Sequence, residues 1–317
     1  MKPSVKPPAL RTGSRIKIVS PASPPNDVQL FRGCQELVEL GYAVQGRTME
    51  LEPDGYFAAS KQERRFELVE SLQSEQFDGV ICARGGYRSN YLLDTVSPML
   101  FQKPRILCGY SDLTSLQIFL WQTHGWITFY GPMAAAGFDA GADQPGGYHR
   151  DSFLRAVTET RTGWPLDLQG EMLAEGEAEG VLLGGCLTMV QTTLGTPWEL
   201  DTRGSILLLE DRGMKPFQVD RALMHLEQAG KFKEVRGIIL GEFPECGPAE
   251  RGDVTVRDVL ERILGGMEIP IVFGAPAGHT PRPMLTLPLG VRARLHSIGA
   301  GRLEILDPAC TETPPSA

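Results

Sequence analysis

The sequence predicts an α/β protein of two domains, each organised around a largely parallel sheet. Three observations predict it. Short apolar runs alternate with segments of helical periodicity, which calls for crossover connections and a sheet covered on both faces. The chain has 317 residues, enough for about two domains at roughly 150 residues each. A stretch rich in Gly and Glu with little periodicity, 160–180, interrupts the alternation midway. The expected halves are therefore 1–165 and 178–317.

The first half opens with Arg15-Ile-Lys-Ile-Val-Ser20, a β-like run, followed by a Pro/Ser loop through Asp27. Leu30, Cys34 and Leu37 recur at helical spacing, and Gly41 closes that helix. Ser60-Lys-Gln-Glu63 is a capping-box pattern opening a second helix, which leads to the strand-like Gly79-Val-Ile-Cys-Ala83. Ile106-Leu-Cys108 then meets a turn and a helix carrying Leu113, Leu116 and Leu120. In the second half, Gly204-Ser-Ile-Leu-Leu-Leu209 reads as a buried strand, and Val219, Leu223 and Leu226 mark a helix ending near Gly230. Gly237-Ile-Ile-Leu240, a helix over 256–264 and Ile269-Pro-Ile-Val-Phe273 continue the alternation. Val291 to Leu295 and Arg302 to Leu306, split by Gly299-Ala-Gly301, read as a closing hairpin.

Composition excludes several function classes. With 42% hydrophobic and 22% charged residues the chain buries a substantial core, so general disorder is excluded. The net charge is −8, without a Lys/Arg cluster, which argues against a binder of nucleic-acid backbones. No run of about 18 apolar residues reads as a membrane span, and Met1 to Leu10 lacks the apolar core of a secretory signal. The six cysteines are scattered, without C-x-x-C or zinc-like His/Cys spacing, so a reducing cytoplasm and no metal are expected. Neither a G-x-x-x-x-G-K-[ST] nor a G-x-G-x-x-G loop is present, Leu183-Gly-Gly-Cys186 is too short for a phosphate loop, and Arg251-Gly-Asp253 carries no weight.

Ligands of open parallel sheets bind outside the carboxyl ends of the strands. That rule selects Arg84-Gly85-Gly86-Tyr87-Arg88, Gly109-Tyr110-Ser111-Asp112, Glu210-Asp211-Arg212 and Gly274 to His279. Together these loops hold a glycine pair, a serine, a carboxylate and a histidine, the parts of an acyl-transfer site. Ser111 sits where a strand turns into a helix, a geometry that exposes a hydroxyl beside helix N–H groups. The local G-Y-S-D-L lacks the second glycine of a G-x-S-x-G elbow. Ser111 or Asp112 as a plain helix cap is the alternative. For Glu210 it is a solvated strand-end acid, for His279 an ordinary loop histidine, and for Gly85-Gly86 a tight turn. The order Ser, acid, His is the one α/β-hydrolases use.

At these residues the chain resembles the LD-carboxypeptidases, the muramoyltetrapeptide carboxypeptidases with microcin-resistance enzymes as relatives. The matching stretches are Ala83-Arg-Gly-Gly-Tyr87, Cys108-Gly-Tyr-Ser-Asp-Leu-Thr114, Thr128-Phe-Tyr-Gly-Pro132, Leu194-Gly-Thr-Pro-Trp198, Leu208-Leu-Glu-Asp211, Pro216-Phe-Gln-Val-Asp-Arg221, and Gly278-His279 followed by Leu287-Pro-Leu-Gly290. They run nearly the whole chain in order. The resemblance implies a flavodoxin-like (class I glutamine amidotransferase-like) amino-terminal domain and a smaller carboxy-terminal α/β domain. It also implies a homodimer, no cofactor and no metal. Carried onto this sequence it implies Ser111 as nucleophile, His279 as base and Glu210 as its orienter. The amides of Gly86 and Asp112 would form an oxyanion hole, with Arg84, Gly85 and Tyr110 against the substrate. The implied substrate is a cytoplasmic murein tetrapeptide, cut before its terminal D-alanine during cell-wall recycling.

Two positions depart from the family pattern. Arg88 replaces a glycine after the tyrosine, where a cation would meet a substrate carboxylate, and Cys186 replaces an asparagine at a point of interdomain hydrogen bonding. The sequence leaves two rival readings open. A hydrolase of peptidyl- or aminoacyl-nucleotides would need an aromatic platform, for which Trp198, Trp164 and Phe217 are candidates. A non-catalytic muropeptide-binding protein would need no working triad.

Overall fold

The computed structural model describes residues 3–46, 54–96, 103–248 and 254–312, so the tripeptide at 251–253 lies outside the described residues. The chain begins β1 (Arg15–Val19), α1 (Asp27–Glu39), β2 (Ala43–Gln45), α2 (Lys61–Gln73), β3 (Gly79–Cys82), α3 (Leu93–Val96), β4 (Ile106–Gly109), α4 (Thr114–His124), β5 (Thr128–Tyr130) and α5 (Arg150–Thr158). It continues β6 (Trp164–Asp167), β7 (Glu171–Ala174), β8 (Gly176–Cys186), α6 (Leu187–Thr192), β9 (Ser205–Glu210), α7 (Pro216–Gln228), β10 (Gly237–Leu240), α8 (Val256–Leu264), β11 (Ile271–Phe273), β12 (Leu287–Leu289), β13 (Arg292–Ser297) and β14 (Arg302–Ile305).

Local chemistry accounts for the helix ends. The Asn26 side chain accepts from the amides of Val28 and Gln29 at the start of α1, and Gly41 beyond its end takes a left-handed φ of 92°. Ser60 and Glu63 close a reciprocal capping box on α2, and Thr255 and Asp258 close another on α8. Pro216 occupies the first turn of α7, where its missing N–H costs nothing.

Among the described residues the strands form two sheets. The first has the order β12-β5-β4-β3-β1-β2, and β5, β4, β3, β1 and β2 all run parallel. The second has the order β6-β14-β13-β8-β9-β10-β11-β7, with a parallel centre β8-β9-β10-β11 and antiparallel flanks. It is thus mixed rather than purely parallel. The 160–180 stretch, expected to be aperiodic, folds into β6, β7 and the start of β8. The closing hairpin forms as β13 and β14, paired antiparallel.

One strand crosses between the halves: β12, late in the chain, pairs antiparallel with β5 of the first sheet. A single apolar cluster accordingly runs through both sheets, joining Ile18, Ile81 and Tyr130 to Leu182, Ile206 and Leu287. All six residues of β9 are buried. Burying one leucine side chain contributes about 1.5–3 kcal/mol, so Leu207, Leu208 and Leu209 anchor this strand firmly. Glu210 is its last residue, and its position is set by that anchoring.

Candidate active site

The carboxyl ends of β3, β4, β5, β9, β10 and β11 contribute to one cleft, as the strand-end rule requires. The cleft has two lobes, of about 470 and about 630 Å³, and Arg84, Gly86, Ser111, Arg212, Glu245 and His279 line both. The first lobe also touches Gly85, Tyr110, Met133 and Asp139. The second is bounded by Tyr87, Arg88 and Tyr91 on one side and Thr188, Met189 and Thr192 of α6 on the other. All eight residues singled out in the sequence therefore lie on this cleft or directly behind it.

Ser111 follows β4 and begins a single 3-10 turn that leads into α4. Its φ is 65°, in the left-handed region that side chains disfavour by about 1–2 kcal/mol. A strained serine between strand and helix is the geometry of a nucleophile elbow, despite the absent second glycine. The capping alternative is not met. Tyr110 and Leu113 precede the helical turns without side-chain capping, and the Asp112 carboxylate accepts instead from the amides of Arg88 (3.0 Å) and Ser89 (2.6 Å). Those bonds fasten the Gly85-Gly86 loop to the Ser111 turn. Gly85 packs so closely that a Cβ there would lie 3.0 Å from Ser111 Cβ and 3.2 Å from its Oγ.

Glu210 is fully buried rather than solvated. Its Oε2 accepts from the backbone N–H and from Nδ1 of His279, both at 2.9 Å. A carboxylate accepts only, so Nδ1 carries the proton and Nε2 keeps its lone pair. Gly278 makes this approach possible: with φ +67°, a Cβ there would fall 2.4 Å from Glu210 Cδ. The loop beyond His279 is pinned by Arg282, which donates to Glu242 Oε1 (2.8 Å) and to the carbonyls of Gln169 and Gly274. Burial works against the imidazolium of His279, but the charge and hydrogen bond of Glu210, joined by Asp211, outweigh it and raise its pKa above the usual 6.5. The ring of Tyr110 stands edge-on to His279, with centroids 5.1 Å apart.

Tyr130, the last residue of β5, is a partner of these groups that the sequence reading does not single out. Its hydroxyl donates a short hydrogen bond to Glu210 Oε1 and accepts from the Ser111 amide at 3.4 Å. Burial, then the charge of Glu210, push its pKa well above the ordinary tyrosine value, so it stays a donor. The signal was present, because Tyr130 ends a strand inside the matching stretch 128–132. Behind it, Thr114 Oγ1 donates to the Ser111 carbonyl (2.7 Å) and accepts from the Cys186 amide (3.1 Å). Cys186 thus joins the two halves through its backbone, whatever its side chain. That side chain sits 3.5 Å from Asp211 Oδ2.

The aromatic platform expected for a nucleotide does not form from the named residues. Trp164 is buried in β6 and Trp198 packs on Phe119 (centroids 6.5 Å), while Phe217 is exposed beside Arg221; none lines either lobe. Among the described residues no group of three or more His, Cys, Asp or Glu is arranged to hold a metal, and no helix is long and apolar enough to cross a membrane.

A strained serine and a carboxylate-bound histidine line one cleft at the strand ends of an α/β fold, an arrangement that fits a serine hydrolase. Comparison with known proteins names the class. Residues 16–131 match the LD-carboxypeptidase N-terminal domain and residues 179–295 the LD-carboxypeptidase C-terminal domain. The chain belongs to the LD-carboxypeptidase family and is a serine carboxypeptidase. It is 34% identical to a probable murein peptide carboxypeptidase of Bacillus subtilis over 296 residues, 92% of each chain. Its structure is similar to a muramoyltetrapeptide carboxypeptidase from Oxalobacter formigenes (TM-score 0.80, 28% identity, covering 95% of this chain and 100% of that one). It is also similar to the microcin C7 self-immunity protein MccF in its wild-type apo state (TM-score 0.84, 25% identity, covering 97% and 100%). MccF is known from Escherichia coli and has been solved in complex with aspartyl sulfamoyl adenosine.

Proposed function

We propose that this peptidase cleaves the amide between an L-configured centre and a terminal D-alanine of murein tetrapeptides, using Ser111, His279 and Glu210. Ser111 Oγ attacks the carbonyl carbon while its proton passes to His279 Nε2, and a C–O bond forms. The developing oxyanion is received by the amides of Gly86 and Asp112, a contribution of about 2.7–4 kcal/mol per donor. Collapse breaks the C–N bond, and His279 returns its proton to the leaving D-alanine amine. Water, deprotonated by His279, then attacks the ester and restores the serine. Glu210 holds the tautomer throughout and stabilises the imidazolium.

The observation that carries this reading is the unbroken chain from the Ser111 amide through the Tyr130 hydroxyl and Glu210 to His279 Nδ1. It ties the nucleophile of one sheet to the acid and base of the other. The 34% identity to a probable murein peptide carboxypeptidase supports the substrate class. Arg84, at the junction of the lobes, supplies positive charge for an anionic peptide, with Gly85 and Tyr110 beside it. Division into domains 1–165 and 178–317, a cytoplasmic setting, a role in peptidoglycan recycling and a homodimer belong to the same proposal. Mass spectrometry of products from a library of L,D- and L,L-tetrapeptides tests it. Release of the terminal D-alanine from L,D-peptides alone is expected, and equal cleavage of L,L-peptides would overturn the substrate assignment.

A further inference from the structure

We propose that Arg88 makes the second lobe of the cleft a subsite for a side-chain or internal carboxylate of the peptide substrate. The inference rests on the peptide-substrate reading above and adds a recognition element to it.

The backbone gives the first argument. Arg88 has a φ of 72°, a left-handed conformation that glycine adopts freely and arginine only at a cost. Its amide donates to Asp112 Oδ1 at 3.0 Å, and its carbonyl accepts from Arg64 at 3.4 Å. The residue is therefore fixed from both sides, one loop away from Ser111. Strain retained next to a reacting centre points to a role for the side chain.

The guanidinium gives the second. Its central carbon lies 4.6 Å from the ring centroid of Tyr91, 4.9 Å from that of Tyr87 and 5.1 Å from that of Phe57. The rings hold the fork against their faces at the edge of the lobe. Its Nε is buried without a hydrogen-bond partner, and no carboxylate of the described residues pairs with the guanidinium, which lines the lobe.

The charges lining the lobe give the third. Asp112 is engaged by the Arg88 and Ser89 amides, Asp211 by Thr188 and the Arg212 amide, and Glu245 by the Arg212 guanidinium. Each carboxylate on the lobe is thus committed to another donor, and the Arg88 cation is left for a ligand. A planar fork with a missing acceptor fits a carboxylate. It does not fit a nucleobase, because the guanidinium already lies over the Tyr87 and Tyr91 rings on which a base would stack.

The test uses the Ser111→Ala protein, so that peptides bind without being consumed. Calorimetric titration compares an L,D-tetrapeptide with versions in which each carboxylate is singly amidated, against Ser111→Ala alone and combined with Arg88→Gln or Arg88→Gly. One amidation, not that of the terminal D-residue, is expected to weaken binding to Ser111→Ala about tenfold or more, the worth of a charge-assisted hydrogen bond. Both double variants should lose that discrimination, and Arg88→Gly does so on a relaxed backbone, which separates recognition from misfolding. Discrimination that survives in both double variants, equal binding of all peptides, no binding of any, or a preference for adenosine monophosphate that Arg88→Gln removes would each overturn the inference. Turnover of the free tetrapeptide by the unsubstituted enzyme is measured alongside. Turnover without Arg88-dependent discrimination sinks the subsite alone, and discrimination without turnover sinks the proposed reaction alone.

Discussion

Replacing Glu210 by glutamine removes one charge from the site while preserving its shape. The side chain is fully buried, with Oε2 bonded to two N–H groups of His279 at 2.9 Å and Oε1 to the Tyr130 hydroxyl. In the variant the amide oxygen is expected to stay toward His279, because two facing N–H donors repel, and the NH2 turns to Tyr130, whose hydroxyl rotates to accept. The fold should survive. The imidazolium of the transition state, however, loses its counter-charge. A unit charge pair about 4 Å apart at an effective dielectric of about 20 is worth about 4 kcal/mol, or about 10³-fold in rate at 1.36 kcal/mol per tenfold. Amide substitution in a comparable triad costs about 10⁴-fold in kcat, so a loss of about 10³ to 10⁴ is expected.

The pH dependence carries a sign as well. The His279 pKa is raised chiefly because Glu210 outweighs burial, so the acid limb of kcat/KM in the native enzyme is expected above pH 6.5. In Glu210→Gln only Asp211 is left to oppose burial, and the limb moves to lower pH. Stability follows the same linkage. A raised folded pKa contributes stability that is complete below the unfolded value near 6.5 and lost as pH rises through the folded value. The thermal midpoint of the native protein should therefore gain on the variant as pH falls. A variant within tenfold of native kcat, with an unmoved acid limb, would refute the role of Glu210.

Three further substitutions probe the supports of the site. Tyr130→Phe leaves Glu210 Oε1 and the Ser111 amide without their shared partner, so kcat should fall about tenfold to a hundredfold. With one donor fewer on the carboxylate, its charge acts more fully on His279, and the acid limb should move to higher pH; a pH–rate profile reads both. Gly278→Ala forces a Cβ to 2.4 Å from Glu210 Cδ on a left-handed backbone, and should lower stability by more than about 1 kcal/mol along with activity, as seen in denaturant melts. Gly85→Ala lies on an unstrained backbone but crowds Ser111 at 3.0 Å, so its melting should stay near native while kcat drops. A displacement of about 1 Å costs about 100-fold.

The elements legible in the sequence are those whose cause is local. The buried run ending at Leu209 and the capping box at Ser60 and Glu63 each declare themselves within a few residues. Strand ends then led to Ser111, Glu210 and His279. What escaped depends on pairing at a distance. The strand β5 has only three residues, too few for a period to mark Tyr130 as a site residue, and β12 contains Pro288 and is a strand only because it pairs along β5. The 160–180 stretch looked aperiodic because β6 includes a proline and β7 is largely exposed; pairing with β14 and β11 makes them strands. The nucleotide platform failed for a similar reason, since the sequence shows a tryptophan but not what it packs against.

The central claim is covalent catalysis by Ser111, and the most direct test is to look for the ester. Rapid quenching of the enzyme with an L,D-tetrapeptide, followed by intact-mass and peptide-map spectrometry, should show the tripeptidyl group on Ser111, formed as D-alanine is released. Ser111→Ala, folded by thermal melting, should show neither adduct nor release. Release of D-alanine by Ser111→Ala at a rate near that of the native enzyme, or an adduct mapped to another residue, would contradict the account.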